Sequence, residues 1–282
     1  MEQIFSFTLA SANILAEFAY QRYATPATIP YEKRKELVLQ ALSPQGILYQ
    51  DIICLQEVDS NDDLYLTGIK PELEKNGYDH IIQQNKRQCC LIAYRAKLFT
   101  LEHSKVFQLT NQRGSGAKQC IVATLKPQQT GVPVIQVMSV HIPFPRSRNT
   151  QQEQLKTIST LQSHLISSKA SLVAGDFNFP YSPSSYKKLR TIFNPHTWNN
   201  AEEEHGVLTV PTMYIDKQPK HVDYLFYTPR PKQGQLSCEH LVIKPTNKKD
   251  LIRMDATRNK ITYFSDHASL IATLTFAKQW HK

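Results

Sequence analysis

With 282 residues and 41% apolar content, the chain can bury a sizeable core. No Gly/Ser- or Pro-rich linker, repeat or low-complexity tract divides it, which predicts one domain over 1–282. A formal charge of +9 and a pI near 9.2 fit a polyanionic partner, nucleic acid or a phosphorylated substrate, and serve solubility equally well. The five cysteines (Cys54, Cys89, Cys90, Cys120, Cys238) are odd in number and form no CxxC pair, which argues against a disulfide framework or a zinc site. No apolar run approaches ~18 residues, and the start of the chain lacks a basic segment and cleavage site. The expectation is a soluble, cytoplasmic monomer with no membrane partner.

Phe5 to Leu15 carries the aromatic and β-branched residues of a strand, and Asn13 lies near its end. That amide needs partners if buried, or else turns into a loop. Tyr20 to Pro30 reads as a loop. Tyr31 to Leu42 reads as a helix with Leu37, Val38 and Leu42 on one face, and Lys33, Arg34 and Lys35 as a solvated face opposite. Asp51 to Val58 is a buried strand ending in Gln56 and Glu57, where a carboxylate must meet a cation, donors or solvent. A helix follows over Leu64 to Lys75 and stops at Asn76-Gly77. Strands are predicted at Tyr78–Ile82, Cys90–Tyr94, Phe99–Gln108 and Cys120–Leu125. The polar loop Asn111–Gly116 before the last of these is a weak phosphate-cradle candidate.

Val132 to His141 is a strand that ends in a titratable residue. Phe144, Pro145, Arg146 and Arg148 follow, a set suited to stacking on a base and pairing with phosphate, against the alternative of a plain surface loop. Leu155, Ile158, Leu161 and Leu165 mark the core stripe of a helix. Ala170 to Ala174 is a nearly continuous apolar run, read as a strand buried on both faces. Gly175 ends it, and Asp176 and Asn178, two apart, leave an extended backbone on one side. An Asx turn is the plain alternative. Ser182 to Phe193 is a short helix with Lys187, Lys188 and Arg190 exposed, and His221 to Tyr227 is a strand carrying Asp223. Lys244 to Lys260 is the densest basic tract, read as a loop, and Asp266-His267 precedes a last strand, Ala268 to Phe276.

Strand ends and starts thus carry Asn13, Glu57, His141, Asp176 with Asn178, Asp223, and Asp266 with His267. One carboxylate at a strand end is ordinary, whereas this many argue for one shared polar site. Carboxylates, amides and histidines without cysteine suit Mg2+, with Mn2+ as a substitute, over zinc. A hard divalent ion, imidazoles and a basic surround fit hydrolysis of a phosphate ester.

The motifs SANIL (Ser11 to Leu15), LQEV (Leu55 to Val58), VH (Val140, His141), GDFN (Gly175 to Asn178), VDYLFY (Val222 to Tyr227) and SDH (Ser265 to His267) occur in the order of the endonuclease/exonuclease/phosphatase superfamily, which the whole chain resembles. The resemblance implies an α/β fold, a four-layer αββα sandwich of two packed mixed sheets like that of deoxyribonuclease I, with the site across the top. It implies Glu57 as the main Mg2+ ligand, with Asn13 contacting metal or phosphate and Asp266 as a further metal-side or leaving-group-side carboxylate. Asp176 would orient or deprotonate water, and Asn178 would hold a phosphate oxygen or the water. His267, steered by Asp223, would donate to a non-bridging oxygen, and His141 would bind the scissile phosphate.

NILAEFAYQRYATP, YEKRKELVLQAL and IKPELEKNGYDH resemble the deadenylase-like branch, which contains the carbon catabolite repressor deadenylases, Angel proteins and nocturnin. That implies a 3′-exonuclease acting on poly(A) or other single-stranded RNA, or on an adenine nucleotide. Two alternatives stay open: a DNA-directed phosphodiesterase similar to the tyrosyl-DNA or abasic-site repair branches, and a catalytically inactive nucleic-acid-binding module. Against the abasic-site branch, Leu15 stands where those enzymes carry an acidic residue. Against the inactive module, a pure binder has no need of several acids beside a polyanion.

Overall fold

The computed structural model describes residues 3–15, 30–84, 86–109, 118–144, 148–165, 169–194, 197–208, 212–213, 220–229, 235–244, 265 and 267–277, with backbone alone at 3, 4 and 148–150. Two sheets of six strands each are stacked face to face. The first contains β1 (Gln3–Asn13), β2 (Ile52–Val58), β3 (Tyr78–Ile82), β4 (Cys89–Arg95), β11 (Gln235–Lys244) and β12 (Ser269–Ala277), in the order β11-β12-β1-β2-β4-β3. The second contains β5 (Phe99–Leu109), β6 (Lys118–Pro127), β7 (Ile135–His141), β8 (Ala170–Asp176), β9 (Asn199–Asn200) and β10 (Asp223–Tyr227), in the order β5-β6-β7-β8-β10-β9. Each sheet holds one parallel pair, β1 with β2 and β7 with β8, and antiparallel neighbours elsewhere. This is the expected α/β sandwich.

Helix α1 (Tyr31–Leu42) and a π-helical turn (Leu64–Ile69) running into α2 (Lys70–Lys75) cover the outside of the first sheet through Val38, Leu42, Leu64 and Ile69. Helices α3 (Arg148–Ser163) and α4 (Pro183–Ile192) cover the second through Ile158, Leu161 and Leu189. Strands buried on both faces have no polar side to show, which is why their sequences run apolar without alternation. β2 and β8 are buried throughout.

Period-two geometry decides what faces the space between the sheets. Phe5, Phe7 and Leu9 of β1 lie in the inter-sheet core, so Ser11 and Asn13 continue that row to the rim. Ile135 and Val137 place Ser139 and His141 likewise, Leu172 and Ala174 place Asp176, and Leu225 and Tyr227 place Asp223. Below the rim Gln56 bridges the sheets, its Nε2 donating to Ser139 Oγ at 3.1 Å.

Several sequence expectations are corrected here. Arg34 is fully buried, on the same face as Val38 and Leu42, and is not part of a solvated triplet. Arg190 is largely covered and donates to Phe193 O and Trp198 O. Strand β11, α5 (Ala201–Glu204) and β9 were not anticipated. β11 hides because a register shift between Cys238 and His240 breaks its alternation. At the edge beyond β10, the two-residue β9 leaves Leu225 N–H to the buried carboxylate of Glu202, which accepts it at 2.8 Å. The loops 111–116 and 245–260 lie outside the described residues.

Candidate active site

The two parallel pairs end side by side at one rim. In the second sheet, neighbouring strands place His141 beside Asp176 and Asp176 beside Asp223. Gly175 makes this approach possible: its φ is +141°, and a Cβ there would meet Val140 O at 2.1 Å. Only glycine fits. After it, Asp176 Oδ1 accepts Asn178 N–H at 2.7 Å, an Asx turn, with Asn178 at φ +47°. The turn and the polar site are therefore the same structure.

Glu57 reaches the rim by a different route. Ile53 and Leu55 face the helices, so simple alternation would send Glu57 there too. Instead the pairing of β2 with β4 shifts between Leu55 and Val58, Glu57 adopts φ +62°, and its side chain turns toward the second sheet. Leu15, which leaves β1 at φ +57°, is a second left-handed position on this rim. Buried Arg34 braces it, its Nη2 donating to the carbonyls of Ile14 and Leu15. Such conformations cost about 1 kcal/mol or more each and collect where geometry serves function.

Asp176 is the hub. Its Oδ2 receives Asn13 Nδ2 at 3.1 Å and Asn178 Nδ2 at 3.1 Å, and lies 3.5 Å from His141 Nε2 and 3.9 Å from His267 Nε2. His267 Nδ1 pairs with Asp223 Oδ2 at 2.9 Å. Ser265 Oγ donates to Asn13 O and accepts His267 N–H, fastening the segment before β12 to the end of β1. Glu57 Oε1 sits among Asn13 Nδ2 and Lys118 Nζ, each at 3.4 Å, and His141 Nε2 at 3.5 Å. Gln154, also buried, donates to Pro143 O at 2.6 Å and Asn178 O at 3.2 Å, binding the loop after β7 to the turn after β8.

Burial dominates the electrostatics. Desolvation pushes the Asp176 carboxyl up to about 7 despite the neighbouring His267, with Asp223 adding to the rise. Desolvation, then the Lys118 charge, holds His141 well below the usual imidazole range, so it is neutral. Among the described residues neither ring nitrogen of His141 has a hydrogen-bond partner.

The chain belongs to the endonuclease/exonuclease/phosphatase family. The family match spans residues 11–267, from the end of β1 to His267, and so contains every strand end just described. Members are metal-dependent phosphoesterases and nucleases, and this protein is a hydrolase of that class. No curated protein matches the chain by sequence. Among solved structures, ANGEL2, a 2′,3′-cyclic phosphatase in complex with adenosine-2′,3′-vanadate, superposes with a TM-score of 0.76 at 17% identity, over 98% of this chain and 97% of that one. The human nocturnin catalytic domain with bound sulfate gives 0.67 at 21% identity, over 96% and 94%. Humanised TDP2 of D. rerio gives 0.69 at 17%, over 95% and 98%. At these identities the likeness establishes the shared fold.

The donor set fits the divalent ion on which the family depends. Two positions offer themselves. Asp176, Asp223 and His267 have ligand atoms within 4.8 Å of one another. There, however, a cation would compete with the 2.9 Å His267–Asp223 hydrogen bond. Glu57 is the better candidate: it is nearly buried, and Asn13, Lys118 and His141 approach its Oε1 at 3.4–3.5 Å, each beyond the usual ~2.7–3.2 Å of a good hydrogen bond. Asn13 turns its amide nitrogen to the carboxylates and takes Leu15 N–H on Oδ1 at 2.9 Å, so as a ligand it would use the second lone pair of that oxygen.

Asn13, Glu57, His141, Asp176, Asn178, Asp223 and His267 are thus brought together. Asp266, Pro145 and Arg146 lie outside the described residues, as does the side chain of Arg148, whose backbone opens α3. Phe144 is described, half exposed, two residues after Ile142, whose N–H donates to Asp176 O. Sequence reasoning missed Lys118, Arg34, Gln154 and Ser265 as part of the site. For Arg34 the signal was its place one turn before Val38. For Lys118 there was none, since β6 parity points it away from the cleft with Cys120 and Val122.

Proposed function

We propose that the protein is a Mg2+-dependent phosphodiesterase that attacks the 3′ end of poly(A) or other single-stranded RNA, or the phosphate of an adenine nucleotide. The observation that carries this reading is the linked pair of Asp176 and the His267–Asp223 couple: a carboxyl raised to about 7 lies 3.9 Å from an imidazole nitrogen whose partner nitrogen is held by an acid. A base of that strength can take a proton from water near neutral pH. Asp223 fixes the orientation of His267, whose other ring nitrogen donates to a non-bridging phosphate oxygen as charge builds. The Asn178 amide protons go to Ile142 O and Asp176 Oδ2, so what it offers an attacking water is its oxygen, as acceptor. Neutral His141 is a donor for the scissile phosphate. Glu57, Asn13 and Asp266 are the residues that would hold Mg2+, which when bound would supply charge stabilisation at the phosphate. Phe144 offers a face for a base to stack on, and Pro145, Arg146 and Arg148, which follow it in the sequence, are assigned to base and phosphate contacts by residue type. The protein works as a single-domain monomer in the cytoplasm. Among the described residues no helix is long and apolar enough to cross a membrane.

A second reading rests on the ANGEL2 superposition: hydrolysis of a terminal 2′,3′-cyclic phosphate. The test sets wild type beside Asp176→Ala on 5′-labelled poly(A), poly(U), single-stranded DNA, an adenine dinucleotide phosphate and an RNA ending in a 2′,3′-cyclic phosphate. Shortening of poly(A) from its 3′ end, lost with EDTA and with Asp176→Ala, supports the exonuclease. Opening of the cyclic end alone, or cleavage of DNA alone, keeps the chemistry and replaces the substrate. No metal-dependent turnover on any arm, with salt-sensitive binding retained, would favour the binding module.

A further inference from the structure

Lys118 begins β6, and its parity belongs to the outer face, where Cys120 and Val122 pack under the helices. Its ammonium nevertheless comes over the rim to within 3.4 Å of Glu57 Oε1, and only 15% of the side chain is exposed. A flexible four-carbon stem with a compact charge can bend in this way, at the cost of rotamer entropy. That cost is met by the attraction of a carboxylate that is 11% exposed. His141 Nε2 at 3.5 Å and Asn13 Nδ2 at 3.4 Å approach the same oxygen.

We propose that Lys118 is the resident cation of the metal subsite. Its ammonium neutralises Glu57 while no divalent ion is bound and must yield that oxygen when the ion enters. This rests on Glu57 being a metal ligand. The argument is electrostatic. A monovalent and a divalent cation cannot share one carboxylate oxygen at about 3 Å without strong repulsion, so each contact Glu57 gives Lys118 opposes metal binding. Lys118 therefore sets the metal affinity of the site and keeps the acid-lined rim folded in the empty protein. It is a positioning residue, and its stem allows the retreat.

The experiment titrates Mn2+ into the metal-stripped, substrate-free protein, reading free Mn2+ by electron paramagnetic resonance, for wild type, Lys118→Gln, Lys118→Arg and Glu57→Gln. Lys118→Gln is expected to bind Mn2+ roughly 5- to 10-fold more tightly than wild type, and Lys118→Arg, which keeps the charge, to bind about as wild type does. A Lys118→Gln protein that binds no more tightly than wild type, beside a Glu57→Gln protein that has lost binding, overturns the inference and leaves the metal reading intact. A Glu57→Gln protein that binds as wild type does overturns the metal reading, and the inference with it. A second measurement needs no variant: amine-reactive labelling of Lys118 in wild type, read by peptide mass spectrometry, should quicken several-fold with saturating Mn2+, and an unchanged rate counts against displacement.

Discussion

The two rims that meet at the site are built by opposite means. In the second sheet His141, Asp176 and Asp223 sit where period two puts them, as the next residues of inward-facing rows already fixed by Val137, Ala174 and Leu225. In the first sheet Asn13 follows its row, whereas Glu57 breaks parity and needs a shifted register and a left-handed backbone to reach the same cleft. The difference matches the division of labour proposed above. Groups proposed to move protons stand in register with one another, which adjacent strands supply once Gly175 allows their close approach. A carboxylate proposed to hold a cation projects across the gap between sheets, and a bulge is how a strand re-aims one side chain without turning its neighbours.

The largest expected effect tests the second sheet's rim. Asp176→Asn should lower kcat by about 100- to 10,000-fold, measured on whichever phosphate ester proves to be the substrate, with only a small loss of Tm, because relief of a buried acid offsets the amide donors at Oδ2 that Asn accepts less well. Equal losses of activity and stability would mean that Asp176 only caps a strand. Gly175→Ala tests the close approach that aligns the rows. With φ at +141° and Val140 O 2.1 Å from the new carbon, it should cost about 2–4 kcal/mol in urea unfolding and reduce activity with it. A stable, active variant would show that the strand pair has slack.

Linkage separates the rims by pH. Asp176 is raised from 3.8 to about 7 and Glu202 from 4.5 to about 8, both chiefly by desolvation. A raised carboxyl pKa means that the folded protein binds the proton more tightly than the unfolded chain. This stability is full below the unfolded values and is lost as pH rises through the folded ones. In EDTA, Tm should therefore fall between about pH 4 and 8. Asp176→Asn and Glu202→Gln should each flatten part of that fall, and a flat wild-type profile would show that the acids are not desolvated as the geometry requires. The smallest effect belongs to the first sheet. Glu57→Gly should change the stability of the metal-free protein by no more than about 1 kcal/mol, because relief of a left-handed non-glycine residue offsets the lost Lys118 contact, and should abolish the Tm gain on adding Mg2+. A Tm gain that survives would show that the ion is held elsewhere.

Much of this site was legible in the chain. Apolar runs ending in Asn13, His141 and Asp176 fixed which residues cap inward-facing rows, because alternation is a local property of extended backbone. Gly175 before Asp176 announced a close approach, and the family motifs gave the order. Helix α1 was placed correctly from Tyr31 to Leu42, yet its Arg34 was assigned to solvent. A charged residue reads as exposed until something supplies acceptors, and here these are carbonyls of a turn some twenty residues earlier in the chain. Lys118 was invisible for the same reason, its partner Glu57 being 61 positions away.

By itself, then, the sequence determined every strand but β9 and β11, most of their inward faces, the oxygen- and nitrogen-donor make-up of the rim and the family. Tertiary structure alone decided that Glu57 turns against its own parity, that burial raises the Asp176 carboxyl, and that Lys118 and Arg34 reach the rim. Those outcomes depend on desolvation and on partners distant in the chain, and neither is encoded in any local stretch of residues.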